Sequence, residues 1–329
     1  MDYTNNRREF LKKLGLLSLV AGSGTALPWN AAGLTNDPFV SHIEYSELTS
    51  LPPEDLFSVL DLRGGGLTDV RMALDQEGHH AALEELLSYY RNRFSRYAGA
   101  SGNEDIGISE KALSRAKDLG EHIFQWGPYE PADYGQDINW AADPAGDIEW
   151  IASLYRWSWA SDLKKAYRAT GDSRYVETFA ELARDWIKKH PLEETLHKKH
   201  PVYGWRGYPW LDIQTGIRVQ NICGVFPWFV HSKAFTPEFL GILLASVYDH
   251  QVKTEKIPME SLHNKAIFEQ MGFIKGIHTF PEFKERVRWL SLSMQRTSRL
   301  LLGQTTTDGV QREWCGGYHS GVYTDAMEI

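Results

Sequence analysis

Two polar clusters in the C-terminal part of the chain contain the residue types best suited to chemistry. The first precedes an apolar helical pattern and consists of His263, Asn264 and Lys265. An asparagine in such a place is often only a helix cap. The second is a glycine-bearing loop, residues 308–319, that brings three residues towards one region: Glu313, Tyr318 and His319. Carboxylates, phenols and imidazoles can all transfer protons, but each cluster taken alone is weak evidence of a site.

A local basic patch precedes these clusters. Between Arg184 and Arg206 there are six Lys or Arg residues against three Asp or Glu, in a chain whose formal net charge is −8. The patch suits an acidic ligand, although a solvated helix end fits it as well. Arg206 and Arg218 are more specific candidates, because a guanidinium can form a forked pair with a carboxylate or sulfate. His197 and His200 lack the further ligands of a recognisable zinc pattern, so we predict no metal site there.

Tryptophan is abundant in the middle of the chain. Nine of the twelve tryptophans lie within residues 126–228. An indole face can stack on a sugar ring while its N–H finds a polar partner. We predict that those on apolar helix faces are core residues, namely Trp150, Trp157, Trp159, Trp186 and Trp228. Those among Gly, Pro and Asp are candidates for lining a cleft, namely Trp140, Trp205 and Trp210.

The elements that must position these residues are helices. From about residue 50 the hydrophobic period is close to 3.6, and no series of period-two strands is visible. The pattern predicts one helix over Asp147 to Thr170, ended by Gly171, and helix starts at Thr236-Pro237-Glu238 and at Phe280-Pro281-Glu282. A helix every 20 to 30 residues indicates a multi-hairpin, all-α architecture.

Several short motifs, taken in order, resemble the helical domain of heparinase II/III-like polysaccharide lyases, and the heparinase III branch in particular. Asn264 lies four residues before Phe268-Glu269, and Glu313 lies five residues before Tyr318-His319. The similarity covers about residues 135–329. Further matches are Asn139-Trp140, Glu149-Trp150 to Arg156, Ala169-Thr170-Gly171-Asp172, Ala234-Phe235-Thr236-Pro237 and Phe280-Pro281-Glu282-Phe283. The resemblance implies an α/α toroid.

The resemblance also implies an eliminative lyase that cuts the glycosidic bond beside a uronic acid. The C5 proton of a uronate is a poor acid until its carboxylate is neutralised. The Asn264 amide, helped by Arg218, would therefore stabilise the enolate-like state. Tyr318 would transfer the proton as base and then acid, and Glu313 would orient it. A heparan-sulfate-like glycosaminoglycan is the first expected substrate. The expected binding residues are Arg206, Arg218, Lys265, His263, Trp140, Trp205 and Trp210.

Two features depart from the family pattern. Family members usually have His directly after the Asn, whereas Lys265 stands here and His263 precedes. They also continue into a β-sandwich domain that supplies a further catalytic histidine and often a structural metal. Because this chain stops first, we expect an incomplete toroid over residues 33–329, with no cofactor in the chain itself. His319 is the candidate substitute for the missing histidine.

Two other classes of protein stay open. The α/α toroid also hosts glycoside hydrolases, which need two carboxylates, here Glu313 with Asp308 or Asp212. The chain could also be a secreted module that binds glycans without turnover. Among lyases, an alginate-like or other uronate polymer is an alternative substrate. Neither the tryptophans nor the basic patch distinguishes a sulfate from a carboxylate.

The first 32 residues have the pattern of an export signal. Arg7 and Arg8 precede a short apolar run, Leu14 to Ala26, and small residues follow near Ala31. This resembles a twin-arginine signal peptide, so we predict a periplasmic or secreted protein that has no membrane segment after cleavage. The net charge of −8 disfavours DNA or an anionic membrane as a partner. The expected partner, an acidic polysaccharide, is what the family resemblance implies. Two cysteines, Cys223 and Cys315, cannot form a disulfide framework.

Overall fold

The computed structural model describes the following residues: 47–64, 66–99, 108–211, 213–259, 262, 264–306, 309–312, 317, 320–322 and 324. The predicted signal peptide, residues 1–32, lies outside them and stays a prediction. No helix within these ranges combines the length and apolar character that crossing a bilayer requires.

Twelve α-helices have defined bounds in the described chain. They are α1 (Leu56–Val59), α2 (Thr68–Gln76), α3 (His79–Arg93), α4 (Glu110–Asp118), α5 (Ile148–Tyr155), α6 (Ala160–Thr170), α7 (Arg174–Lys189), α8 (Leu192–Thr195), α9 (Gln214–Phe229), α10 (Pro237–Lys256), α11 (Asn264–Thr279) and α12 (Arg286–Gln304). One short antiparallel pair, β1 (Ile123–Phe124) and β2 (Ala132–Asp133), is the only sheet among these residues. The fold is therefore all-α.

Local sequence sets several helix ends. The Thr236 hydroxyl accepts a hydrogen bond from the Phe239 amide, and Pro237 occupies the first helical position of α10, where no backbone donor is needed. Gly171 ends α6 in the left-handed conformation, with φ of 69°. This conformation strains most other residues and lets the chain reverse into α7. The predicted break at Gly171 and the predicted start at Thr236 are confirmed.

The predicted single helix from Asp147 to Thr170 is wrong. The chain leaves the helix after Tyr155 and re-enters it at Ala160, and Trp157 takes a positive φ of 55°. Such a backbone is unusual for a bulky residue and needs compensation from the surrounding fold. Here the Trp157 indole is fully buried and packs edge-on against Phe179 and Trp186. Burial of this indole therefore supplies a reason for the break between α5 and α6.

The predicted helix start at Phe280-Pro281-Glu282 is also displaced, since α12 begins at Arg286. Glu282 is buried, and its carboxylate accepts hydrogen bonds from the hydroxyls of Tyr89 and Tyr90 and from Arg93. Phe283 forms a bridge with Leu60. These long-range contacts hold the segment as a turn.

The helices α6, α9 and α11 run parallel. Along α9, Asn221 donates to the Arg156 carbonyl just before α6, and Trp228 lies under the Arg168 guanidinium at 3.9 Å near the end of α6. Gly216 meets Glu269 near the start of α11, whereas Cys223 hydrogen-bonds to Thr279 at its end. All three helices therefore begin at one end of the fold, which we call the helix-start rim.

The helices between these parallel ones return the chain, so α6–α7, α9–α10 and α11–α12 form successive hairpins. They enclose one large apolar core that runs from Leu48 to Trp289, and a smaller cluster that joins Ala266, Ile267, Leu300 and Val322. Trp150, Trp157, Trp159 and Trp186 are buried, as predicted, and Trp228 is partly buried. This set of helical hairpins positions the residues of the helix-start rim.

Candidate active site at the helix-start rim

Asn264 is the first residue of α11 and therefore lies at the helix-start rim. It is 8% exposed, so most of the residue is enclosed by neighbouring elements. Lys265 follows as an exposed cation. An amide at this place can donate hydrogen bonds to an anion, and the positive end of the α11 dipole acts in the same direction.

A buried ion pair holds the segment that leads to Asn264. The Glu269 carboxylate accepts from Lys253 Nζ at 3.2 Å through one oxygen and from the Met259 amide at 2.9 Å through the other. The side chains of Glu269 and Lys253 are 0% and 4% exposed. Glu269 is the glutamate of the motif that begins with Asn264. The motif therefore includes a residue with a structural role, because Glu269 accepts a hydrogen bond from Met259, five residues before Asn264.

A second polar cluster lies where the chain breaks between α5 and α6. Arg156 donates to the Gln214 side chain at 2.7 Å and to Glu149 at 3.1 Å. Gln214 is the first residue of α9 and is buried, so Arg156 lies at the helix-start rim. Sequence analysis did not assign Arg156 or Gln214 to the site. The match over Glu149 to Arg156 was the available signal.

A surface loop carries two of the predicted binding residues. Lys199 and Arg206 form an antiparallel bridge, and the Trp205 side chain between them is 48% exposed. The Tyr203 hydroxyl donates to Asp143 at 2.5 Å, and burial together with this bond raises the pKa of Tyr203 to about 12. Tyr203 therefore stays a neutral donor that anchors the loop. Trp205 and Arg206 are both available at the surface.

Arg218 is not at the surface, which differs from the binding role expected from the sequence. It is fully buried and donates to His250 Nε2 at 2.6 Å and to the carbonyls of Tyr155 and Pro209. Its guanidinium lies 4.0 Å from the ring centre of Trp186. A polysaccharide cannot reach this group, so Arg218 has a structural role.

Trp140 and Trp210 are likewise buried, at 2% exposure each. The Trp140 indole donates to Asp185 at 2.7 Å, and the Trp210 indole donates to the His190 carbonyl at 3.0 Å. Their Gly, Pro and Asp neighbours indicated a surface loop, but both indoles fill the core. Neither face is available to stack on a sugar.

Other predicted site residues lie outside the described residues, and their roles stay predictions. They are His263, Glu313, Tyr318 and His319, together with Asp212 and Asp308 of the alternative hydrolase site. Cys223 is a buried free thiol whose pKa is raised by burial to about 12, and Cys315 lies outside the described residues.

No group of three or more His, Cys, Asp or Glu suited to a metal ion occurs within the described part of the chain. His200 is instead a loop residue. Its buried ring accepts from the amides of Val202 and Tyr203 through Nδ1, and burial lowers its pKa. The described residues therefore do not fit a structural metal.

A helical fold that presents an amide and nearby cations at one rim is suited to binding an anionic ligand and stabilising charge that develops on it. Residues 56–329 match the family described as Heparinase II/III N-terminus, and the chain belongs to this family. The resemblance stated from the sequence is thereby confirmed.

Curated relatives and solved structures agree with this membership. The chain is 32% identical to a heparin-sulfate lyase of Bacteroides stercoris over 277 residues, which cover 80% of this chain and 41% of the relative. It is 30% identical over 271 residues to a heparin-sulfate lyase of Pedobacter heparinus, covering 80% and 40%. The chain therefore spans about two fifths of the length of these relatives.

The crystal structure of heparinase III superposes with a TM-score of 0.72 at 26% identity, covering 85% of this chain and 43% of that structure. The expected fold class, an α/α toroid of helical hairpins, is confirmed by this similarity.

Proposed function

We propose that this chain forms the helical part of a polysaccharide lyase that cleaves a uronic-acid-containing acidic polysaccharide by β-elimination. The observation that carries the proposal is the match to two heparin-sulfate lyases over 80% of the chain. A heparan-sulfate-like glycosaminoglycan is the favoured substrate. From the predicted export signal we infer that the protein acts in the periplasm or outside the cell, where it would encounter such polymers.

In the proposed mechanism, Asn264 donates to the uronate carboxylate and favours the state in which charge spreads from C5 onto it. Lys265 adds a positive charge beside the amide and takes the place of the usual histidine. Because Arg218 is buried, we assign the assisting role to Arg156, whose guanidinium lies at the rim beside Gln214.

Tyr318 removes the C5 proton and returns a proton to the leaving oxygen, which breaks the C4–O bond and leaves a C4–C5 double bond. A phenol with an ordinary pKa near 10 acts as a base only when nearby positive charge lowers that pKa. Glu313 orients the tyrosine, and His319 is the candidate second proton carrier.

The test is ultraviolet absorbance of the unsaturated product. The chain, and any longer natural form of it, is incubated with heparan sulfate, heparin, chondroitin sulfate, hyaluronan and alginate. Rising absorbance with heparan sulfate is the expected result, and a rise with alginate alone would change the substrate class. Reducing ends without absorbance would establish a hydrolase, and binding with neither product would establish a glycan-binding module.

The matched variant is Tyr318→Phe, which removes one oxygen. It should abolish elimination while retaining polysaccharide binding. Full activity in this variant would contradict the assignment of Tyr318. N-terminal sequencing of the protein recovered from the producing cell tests the export signal, and a start near residue 33 is expected.

A further inference from the structure

A cavity of about 220 Å³ lies beside the first turns of α6. We call it the α6 pocket. It is bounded by α4, the end of α5, the start of α6 and the segment after β1, and it contains none of the residues assigned to the active site above. Pockets for drug-sized ligands begin at about 300 Å³, so this cavity suits a smaller group such as one sugar ring.

One wall of the α6 pocket is aromatic. Trp126 is partly exposed, and its ring stacks on Tyr129 with centroids 5.8 Å apart and planes at 19°. Tyr129 in turn meets Trp150, which also lines the pocket, edge-on at 5.7 Å. The Tyr129 hydroxyl donates to Asp147, the capping residue of α5, at 2.7 Å. The Trp126 indole is therefore held in place as a platform.

Another part of the pocket lining is polar and positively charged. Arg115 forms a forked pair with Asp162, at 2.9 and 3.3 Å, and donates to the Gln125 side chain at 3.3 Å. Lys165 forms a longer ion pair with the same Asp162, with 3.7 Å between its Nζ and the carboxylate oxygen. Two cations share one carboxylate, so the group has a net charge of +1 and favours an anionic ligand.

The pocket also has hydroxyl groups that match those of a sugar. Ser158 and Ser161 contribute to its lining, as does Ser153, whose hydroxyl donates to the Trp150 carbonyl. The pocket thus combines an aromatic platform, hydroxyl groups and positively charged side chains. These features together suit a pyranose that carries an acidic substituent. A purely apolar ligand would exclude water from these polar groups without offering them a hydrogen bond.

The position of the pocket relates it to the active site. It lies at the start of α6, and because α6, α9 and α11 run parallel, it belongs to the same helix-start rim as Asn264. We propose that the α6 pocket binds one acidic sugar unit of a polysaccharide, with the ring against Trp126 and the carboxylate or sulfate at Lys165. The identity of this ligand rests on the proposed function.

The experiment is a titration of the protein carrying ¹⁵N-labelled indoles with methyl β-D-glucuronide and, as a neutral match, methyl β-D-glucoside. Loss of one resonance in Trp126→Phe identifies the Trp126 indole. The glucuronide should shift that resonance. Lys165→Met should weaken glucuronide binding about three- to fivefold and leave glucoside binding unchanged, as expected for an exposed charge pair. Lys233→Met, at an exposed lysine between α9 and α10, is the control and should change neither.

The proposal is overturned if the Trp126 resonance does not move, or if Lys165→Met and Lys233→Met behave alike. The elimination assay is scored separately. A Trp126 shift, with no unsaturated product from either the chain or its longer natural form, would support the pocket and refute the proposed function. Lyase activity with no shift of the Trp126 resonance would support the proposed function and refute the pocket. In an active protein, Lys165→Met should raise KM for the polymer and leave kcat unchanged, because the contact lies away from the reacting bond.

Discussion

Gly216 and Gly272 bring the backbones of α9 and α11 into direct contact. A Cβ atom at Gly216 would lie 2.6 Å from Glu269 Cα, and one at Gly272 would lie 2.5 Å from Gly216 Cα. Real Cβ atoms do not approach so closely, so only glycine fits both positions. This contact fixes the start of α11, and with it Asn264, against α9.

Gly272→Ala should therefore lower the free energy of unfolding by about 1–3 kcal/mol, because the helices must separate to admit the methyl group. Urea denaturation measures the change. Gly224→Ala is the control on α9, since its Cβ would meet only the flexible end of Lys164 at 3.8 Å. That variant should be neutral or more stable. Equal losses in both variants would refute the packing argument.

Arg218→Met should destabilise the fold by about 3 kcal/mol or more, because His250 Nε2 and two buried carbonyls lose their donor. Arg206→Met removes an exposed guanidinium and should stay within about 0.5 kcal/mol of the parent. Denaturation midpoints compare the two variants. A stable Arg218→Met protein that had lost polysaccharide binding would restore the binding role expected from the sequence.

Stability should fall on mild acidification. Burial lowers the pKa of His190 to about 3, and burial together with Arg218 lowers that of His250 well below its usual value. Both imidazoles stay neutral in the folded protein but protonate near pH 6.5 when it unfolds. Below that pH the unfolded chain therefore binds more protons than the folded protein. Each histidine then lowers the free energy of unfolding by up to about 1.4 kcal/mol per pH unit of acidification.

Asp249 acts in the opposite direction. Burial raises its pKa well above the usual value, so the folded protein holds a proton that the unfolded chain releases above about pH 4. Above about pH 4, over the range in which folded Asp249 keeps its proton, this contribution offsets that of one of the two histidines. Unfolding free energies at pH 5 and 7 give the net slope, and Asp249→Asn should steepen it. An unchanged slope in that variant would mean that Asp249 is ionised in the folded protein.

The sequence correctly predicted those helix ends that are determined by adjacent residues. A glycine at the end of α6 and a Thr-Pro pair at the start of α10 define those helix ends through their own backbone requirements. The spacing from Asn264 to Glu269 likewise identified a real element, because both residues belong to the first turns of α11.

Long-range contacts explain what the sequence did not predict. No residue adjacent to Trp157 signals the break between α5 and α6. The break is instead explained by a long-range contact, the burial of the Trp157 indole against α7. Trp140 and Trp210 have the neighbours of loop residues, yet distant acceptors in the core satisfy their N–H groups. Arg218 is buried because acceptors from three separate segments converge on it.

Asn264→Ala should lower kcat more than it raises KM, if the amide mainly stabilises charge that develops in the transition state. Initial rates over a range of heparan sulfate concentrations separate the two constants. Lys265→Met, at the neighbouring exposed position, should affect KM more strongly, because its charge attracts substrate and transition state alike. A change confined to KM in Asn264→Ala would make this residue a binding group only.

The buried pair beneath Asn264 gives a last test. Lys253→Met leaves the Glu269 carboxylate buried without its ammonium partner and should cost about 3–5 kcal/mol of unfolding free energy. In the double variant with Glu269→Gln, the buried charge is removed while a side-chain oxygen still accepts from the Met259 amide. Stability should then return in large part. If kcat recovers with it, the pair acts by holding the segment before Asn264 in place. Recovery of stability without kcat would mean that the charge itself is needed at the rim.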